Sequence, residues 1–138
     1  MPPMEKSYSL NLPSTFEEVE KIPDFCDEIS EECGIDEGPA ETFKLILSEA
    51  VTNAIVHGNK EDTGKQVQVD VKVTSGHMSA RVKDEGEGFD LNEKKDPLRE
   101  ENLLDTGGRG IFLIEQFADE MEFRENGTLL YFRVDFDS

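Results

Sequence analysis

Positive charge is what this chain has least of. Fourteen lysines and arginines stand against 32 aspartates and glutamates, a net charge of -18 over 138 residues. Such a field repels a phosphate backbone instead of releasing its counterions, so direct nucleic-acid binding is not expected. Cysteine is scarce as well. Cys26 and Cys33 have neither CxxC spacing nor a His/Cys cluster around them, which argues against a disulfide framework or a zinc site and suits a reducing cytoplasm. Nowhere do 18 or more apolar residues run together, and the start MPPMEKSYSLNLP has no basic segment followed by an apolar core. Membrane spanning and secretion are therefore both unexpected. The acidity reads chiefly as a solvated surface of a soluble, cytoplasmic protein, with a basic protein partner as the lesser alternative. A nucleotide would need local help against this field, from backbone N–H groups, a metal ion or a few placed cations.

What is present is one domain's worth of chain, residues 1–138, long enough to bury a core without staples. SYSLNLP alternates and ends at Pro13, predicting a first strand. The segment 14–34 opens with Ser14 and Glu17 in capping-box spacing and stops at Gly34, predicting a helix restarted or kinked at Pro23. Residues 35–59, with Pro39 near the start and Gly58 near the end, predict the longest helix. Two alternating runs flank Ser75 and Gly76, and two more flank Asn126 and Gly127, each predicting a hairpin. Between them, 89–106 is polar and loop-like, and GIFLIEQFAD reads as helix. Hairpins interspersed with helices predict an α+β two-layer sandwich.

On the long helix, Phe43, Ile46, Leu47, Ala50, Val51 and Ala54 form one apolar stripe at about 100° per residue. Glu49 and Asn53 fall together along its edge, where helix and sheet part. Taken alone, they are an ordinary i,i+4 pair at the rim. Two glycine-bearing segments follow. In DEGEGF, Asp84 ends a strand, and Gly86 and Gly88 let the main chain bend or approach a ligand; the same pattern also makes ordinary turns. In TGGRGIFLI, Gly107, Gly108 and Gly110 lead into an apolar helix whose first N–H groups can face phosphate oxygens. Arg109 either reaches a phosphate bidentately or pairs with one of the many acids. Lys94, Lys95 and Arg99 lie between the two segments, as surface charge or as cations of a lid.

The order and spacing of the three segments resemble the GHKL ATPase superfamily, whose Bergerat fold joins an ExxxN helix, a DxGxG turn, a variable lid and a glycine-rich helix start. Within it, SEAVTNAIVHGN and ENLLDTGGRGIFLIEQF are similar to the small stand-alone branch of anti-sigma factors that are also serine protein kinases. The resemblance implies a mixed, mostly antiparallel sheet with helices on one face, and ATP or ADP bound with Mg²⁺. It implies that Asp84 accepts from the adenine amino group, with Gly86 and Gly88 giving the base room. Asn53 would hold Mg²⁺ against the phosphates, Glu49 would be the general base, and Gly107, Gly108, Arg109 and Gly110 would face the phosphates. The implied partners are a STAS-type anti-anti-sigma protein phosphorylated on serine and a sigma factor or another partner-switching target. A homodimer is compatible with it.

Two readings of other classes stand beside this one. A binding module could use ATP only to set its shape. The catalytic half of a two-component histidine kinase would need a dimerisation helix pair for which this length leaves no room; gyrase-like and mismatch-repair ATPases are larger and work on DNA. His57, near the helix end, reads as a capping or packing group, and His77, beside a hairpin turn, has no assigned role. Phe112, Phe117, Phe123, Phe132 and Phe136 read as core or surface aromatics, not as a stacking platform for bases.

Overall fold

The computed structural model describes residues 5–86 and 106–136. The expected lid cations Lys94, Lys95 and Arg99, and Gly88, lie outside these residues.

Strand β1 (Glu5–Pro13) is followed by a 3-10 turn (Phe16–Glu20) and helix α1 (Lys21–Cys33). The capping box expected of Ser14 and Glu17 does not form. The chain enters the 3-10 turn from Thr15, which makes no side-chain cap, while the Ser14 hydroxyl is buried and accepts a hydrogen bond from Asn59. Pro23 is the third residue of α1, where its missing N–H has no intrahelical acceptor to lose. The restart thus falls at Lys21. Gly34 closes the helix at φ 67, the left-handed geometry that glycine adopts without a Cβ penalty.

Helix α2 (Glu37–Asn53) runs on into a π-helical turn, Ala54–Gly58. All six predicted stripe residues are buried in the core, joined by Ala40 and Ile55. Strands β2 (Gln66–Thr74) and β3 (His77–Lys83) form the first expected hairpin. Helix α3 (Thr106–Phe117) precedes β4 (Glu120–Arg124) and β5 (Leu129–Asp135), which form the second. Its loop is wider than a two-residue turn: Arg124 pairs with Leu129, and a 3-10 segment at Glu125–Gly127 fills the gap, with Gly127 at φ 88.

The five strands lie in the order β1-β2-β3-β5-β4. Where a mixed, mostly antiparallel sheet is expected, each of the described pairings is antiparallel. Register puts Val71 opposite Ala80, and Ala80 opposite Phe132, so the buried members of β2, β3 and β5 share one face, as the alternation of period two requires. The three helices cover that face. Phe43 of α2 meets Phe132 of β5 with ring centroids 5.4 Å apart and planes at 44°, a tilted pair that adds roughly 0.5–1.5 kcal/mol beyond its buried area. The opposite face is polar, carrying Ser9, Asp70, Lys72, Ser79, Arg81 and Tyr131. The end of β3 and the π-turn that follows α2 meet at one edge of the molecule, where Gly58 lies against Asp84.

Candidate functional site

At that edge the π-turn replaces the usual α-helical ending. The N–H of Asn59 bonds back to the carbonyl of Ala54 at 2.8 Å, five residues earlier. A π-turn widens the helix locally and is found disproportionately at functional sites. Here it delivers Gly58 against the residues that follow β3. Gly58 does not have the positive φ of a left-handed cap; among the described residues only Gly34 and Gly127 are glycines with that geometry. Its requirement is space. A Cβ at Gly58 would stand 2.4 Å from Oδ2 of Asp84, and a Cβ at Gly86 would stand 2.1 Å from the carbonyl oxygen of Gly58.

Asp84 sits in this crevice, 8% exposed. Its own N–H donates to the Thr128 carbonyl at 2.9 Å, and its Oδ1 accepts from the Gly86 N–H at 2.8 Å. Burial pushes its carboxyl above the ordinary range; the Gly86 hydrogen bond and the charges of Lys83 and Lys65 pull the other way without prevailing. A buried carboxylate without a cationic partner is unfavourable in a fold. It is favourable as a fixed acceptor for a ligand that brings an N–H.

One turn back along α2, Glu49 and Asn53 are both half-buried at the stripe's edge. The amide oxygen of Asn53 is buried and has no hydrogen-bond partner among the described residues. An ordinary rim pair with Glu49 does not answer it, because an ionised carboxylate has no proton to offer. An orphaned hard oxygen of this kind fits a Mg²⁺ ligand. No group of three or more His, Cys, Asp or Glu side chains that could hold a metal ion occurs among the described residues.

The glycines at 107 and 108 lie within the first turn of α3 and Gly110 just after it, none of them ahead of the helix, which begins at Thr106. The N–H groups of that first turn have no intrahelical acceptors. Position 109 is in this turn too, and the side chain of Arg109 lies outside what is described. His57 is exposed in the last turn of the π segment, and Phe132 is core while Phe112 and Phe117 are surface aromatics.

Sequence reasoning missed Asn59. It is buried, and its amide donates to Ser14 Oγ at 2.7 Å and to the Gln66 carbonyl at 3.0 Å while accepting from the Glu85 N–H at 2.7 Å. Its only signal in the sequence is a polar residue just after a helix end, which predicts a loop and nothing more.

An antiparallel sheet with helices on one face, ending in a glycine-lined crevice around a buried carboxylate, defines a two-layer α+β domain of the histidine-kinase-like ATPase type. The chain belongs to that family: the histidine kinase-like ATPase domain matches residues 12–134. It is 38% identical over 96 residues to the anti-sigma F factor of Geobacillus stearothermophilus, covering 66% of each chain. It is 33% identical over 92 residues to the serine-protein kinase RsbW of Bacillus subtilis, covering 62% of this chain and 58% of that one. With the serine-protein kinase RsbW of Listeria innocua it shares 27% identity over 128 residues, covering 88% and 82%. The chain spans 66% and 58% of the lengths of the first two relatives, under two thirds of each. The resemblance to GHKL ATPases of the small anti-sigma branch is thus borne out. No helix among the described residues is long and apolar enough to cross a membrane.

Proposed function

We propose that this protein is an ATP-dependent serine kinase and anti-sigma factor, the whole of 1–138 acting as one ATP-binding domain in the cytoplasm. The observation that carries the reading is the buried Asn53 oxygen, without a hydrogen-bond partner among the described residues and one helical turn from Glu49, on a helix that runs on to the close Gly58–Gly86 contact. The names of the relatives support the same direction.

In this reading Asp84 accepts from the adenine amino group, and Gly86 and Gly88 leave room for the base. Guanine presents an acceptor oxygen at the same place and is refused. Asn53 holds Mg²⁺, which when bound neutralises phosphate charge. The first-turn N–H groups of α3, with Arg109, face the phosphates. Glu49 takes the proton from the hydroxyl of an incoming serine as that oxygen bonds to the γ-phosphorus; the bond from phosphorus to the bridging oxygen breaks, and its electron pair leaves with ADP. Positioning by a docked partner supplies much of the rate, so hydrolysis by water alone is slow.

The acceptor is a STAS-type anti-anti-sigma protein, and the restrained target is a sigma factor or another partner of the same switching kind. Phosphorylation adds nearly two negative charges beside a chain already at -18, which favours release of the phosphorylated partner. A homodimer is compatible with this arrangement.

Incubation with labelled ATP and candidate STAS-type proteins tests it. Label on one serine of the partner, lost in Glu49→Gln, is the expected result. Adenine-nucleotide binding with no label on any such protein would leave a module that uses ATP only to set its shape. No nucleotide binding at all would remove the reading.

A further inference from the structure

We propose that Asn59 is a positioning residue for base selectivity: its amide closes a hydrogen-bonded ring that aims Asp84 before any ligand arrives. The proposal rests on the reading of Asp84 as the adenine acceptor.

The ring has three members drawn from three elements. Asn59 Nδ2 donates to the Gln66 carbonyl at 3.0 Å, the Gln66 N–H donates to the Glu85 carboxylate at 2.5 Å, and the Glu85 N–H donates to Asn59 Oδ1 at 2.7 Å. It joins the end of the π-turn, the start of β2 and the turn after β3. The second proton of the same amide goes to Ser14 Oγ, at the end of β1. Each capacity of the side chain used here is distinct: two donors point at oxygens and one acceptor meets an N–H. Aspartate would set a carboxylate against the Gln66 carbonyl, and glutamine would add a methylene to a site that is 1% exposed.

Asp84 is caught between two anchors. On one side its N–H is held by Thr128, and on the other the N–H of Glu85 is held by Asn59. With both peptide units fixed, the carboxylate has to lie along Gly58, where it is desolvated. Without the Asn59 anchor the turn can rotate and the carboxylate can reach water, which relieves the burial of an unpaired charge. Loss of the ring therefore spares much of the fold and removes the fixed acceptor. The bond to Glu85 is worth more to recognition than to stability, because preorganisation is what lets a single acceptor separate two purines.

The test compares ADP with GDP by calorimetry, in the full chain with Mg²⁺ present. Asn59→Ala is expected to lower ADP affinity about tenfold with GDP affinity unchanged, so that the ratio collapses. A remote core truncation in α1, Ile29→Ala, chosen to lose comparable stability, should keep the ratio. Hydrogen exchange gives a readout that needs no nucleotide: the Glu85 amide is protected in the parent chain and exchanges fast in Asn59→Ala. A folded Asn59→Ala with the parental ratio would overturn the proposal, as would an unprotected Glu85 amide in the parent. If Asn59→Ala does not fold, Glu85→Pro at this exposed position removes the N–H that Asn59 holds while leaving Asn59 its bonds to Ser14 and Gln66, and should shift the ratio the same way; an unchanged ratio there would also overturn it. Equal ADP and GDP affinity in the parent chain, with Glu85 protected, would instead sink the adenine reading of Asp84.

Discussion

Gly58 and Gly86 meet backbone to backbone, so closely that a Cβ on Gly86 would fall 2.1 Å from the Gly58 carbonyl oxygen. The contact closes the crevice that holds Asp84. Two segments 28 residues apart in sequence thereby meet main chain to main chain, next to the Asn59–Glu85 hydrogen bond that ties the same two segments.

Substitution at this contact should therefore be expensive in proportion to the rigidity of what is met. Gly86→Ala collides with main chain and is expected to lose about 1–3 kcal/mol of unfolding free energy. Gly58→Ala meets the Asp84 carboxylate at 2.4 Å and should lose nucleotide binding even where it folds. Gly76→Ala, with nothing within 4 Å, should stay within about 0.5 kcal/mol. Urea unfolding of the three variants checks the order; a Gly86→Ala protein as stable as Gly76→Ala would contradict the geometry.

Asp84→Asn should separate stability from binding. Burial raises this carboxyl's pKa in the folded chain above the ordinary 3.8, so the folded state holds the proton more tightly than the unfolded one. The group then favours folding while protonated, and that contribution is lost as the pH climbs from the ordinary value through the raised one. Above the raised value the ionised side chain opposes folding. The neutral amide keeps an oxygen for the Gly86 N–H and should hold or raise the urea midpoint at pH 7, with the advantage shrinking toward acid. ADP affinity should drop at least about tenfold. A variant less stable than the parent at pH 7 would show that burial is not the dominant influence on Asp84.

Glu49 and Asn53 should part company in kinetics. Glu49→Gln is expected to leave ATP affinity within several-fold and to cut phosphoryl transfer by ~10² or more, the usual range for a positioned base. Asn53→Ala should weaken Mg²⁺-nucleotide binding and turnover together. Circular dichroism guards the comparison: if both proteins are merely unfolded, the pair is structural.

Cys26 should be chemically silent in the native protein. Burial pushes its thiol up to about 12, so almost no thiolate exists at pH 8. Alkylation followed by mass spectrometry should find Cys26 unmodified in buffer and modified in denaturant. Rapid native labelling would mean that the α1–sheet packing opens readily.

The helix stripe from Phe43 to Ala54 was legible in the sequence because a period of 3.6 residues is a local property, and the core needed nothing more to place it. Both hairpins were legible for the same reason, as alternation of period two around turn residues. The edge position of Glu49 and Asn53 followed from the same helical geometry, and the motif order added Asp84 and its glycines. The sequence determined which elements form and which of their faces turn inward. Tertiary structure decided what Ser14, Gly58 and Asn59 do. Ser14 looked like a helix cap and became an acceptor for Asn59; Gly58 looked like a helix end and became a point of contact for Asp84. Such roles depend on hydrogen bonds and close approaches between residues 26 to 45 positions apart, and no local periodicity encodes a contact that exists only once the sheet and helix have packed.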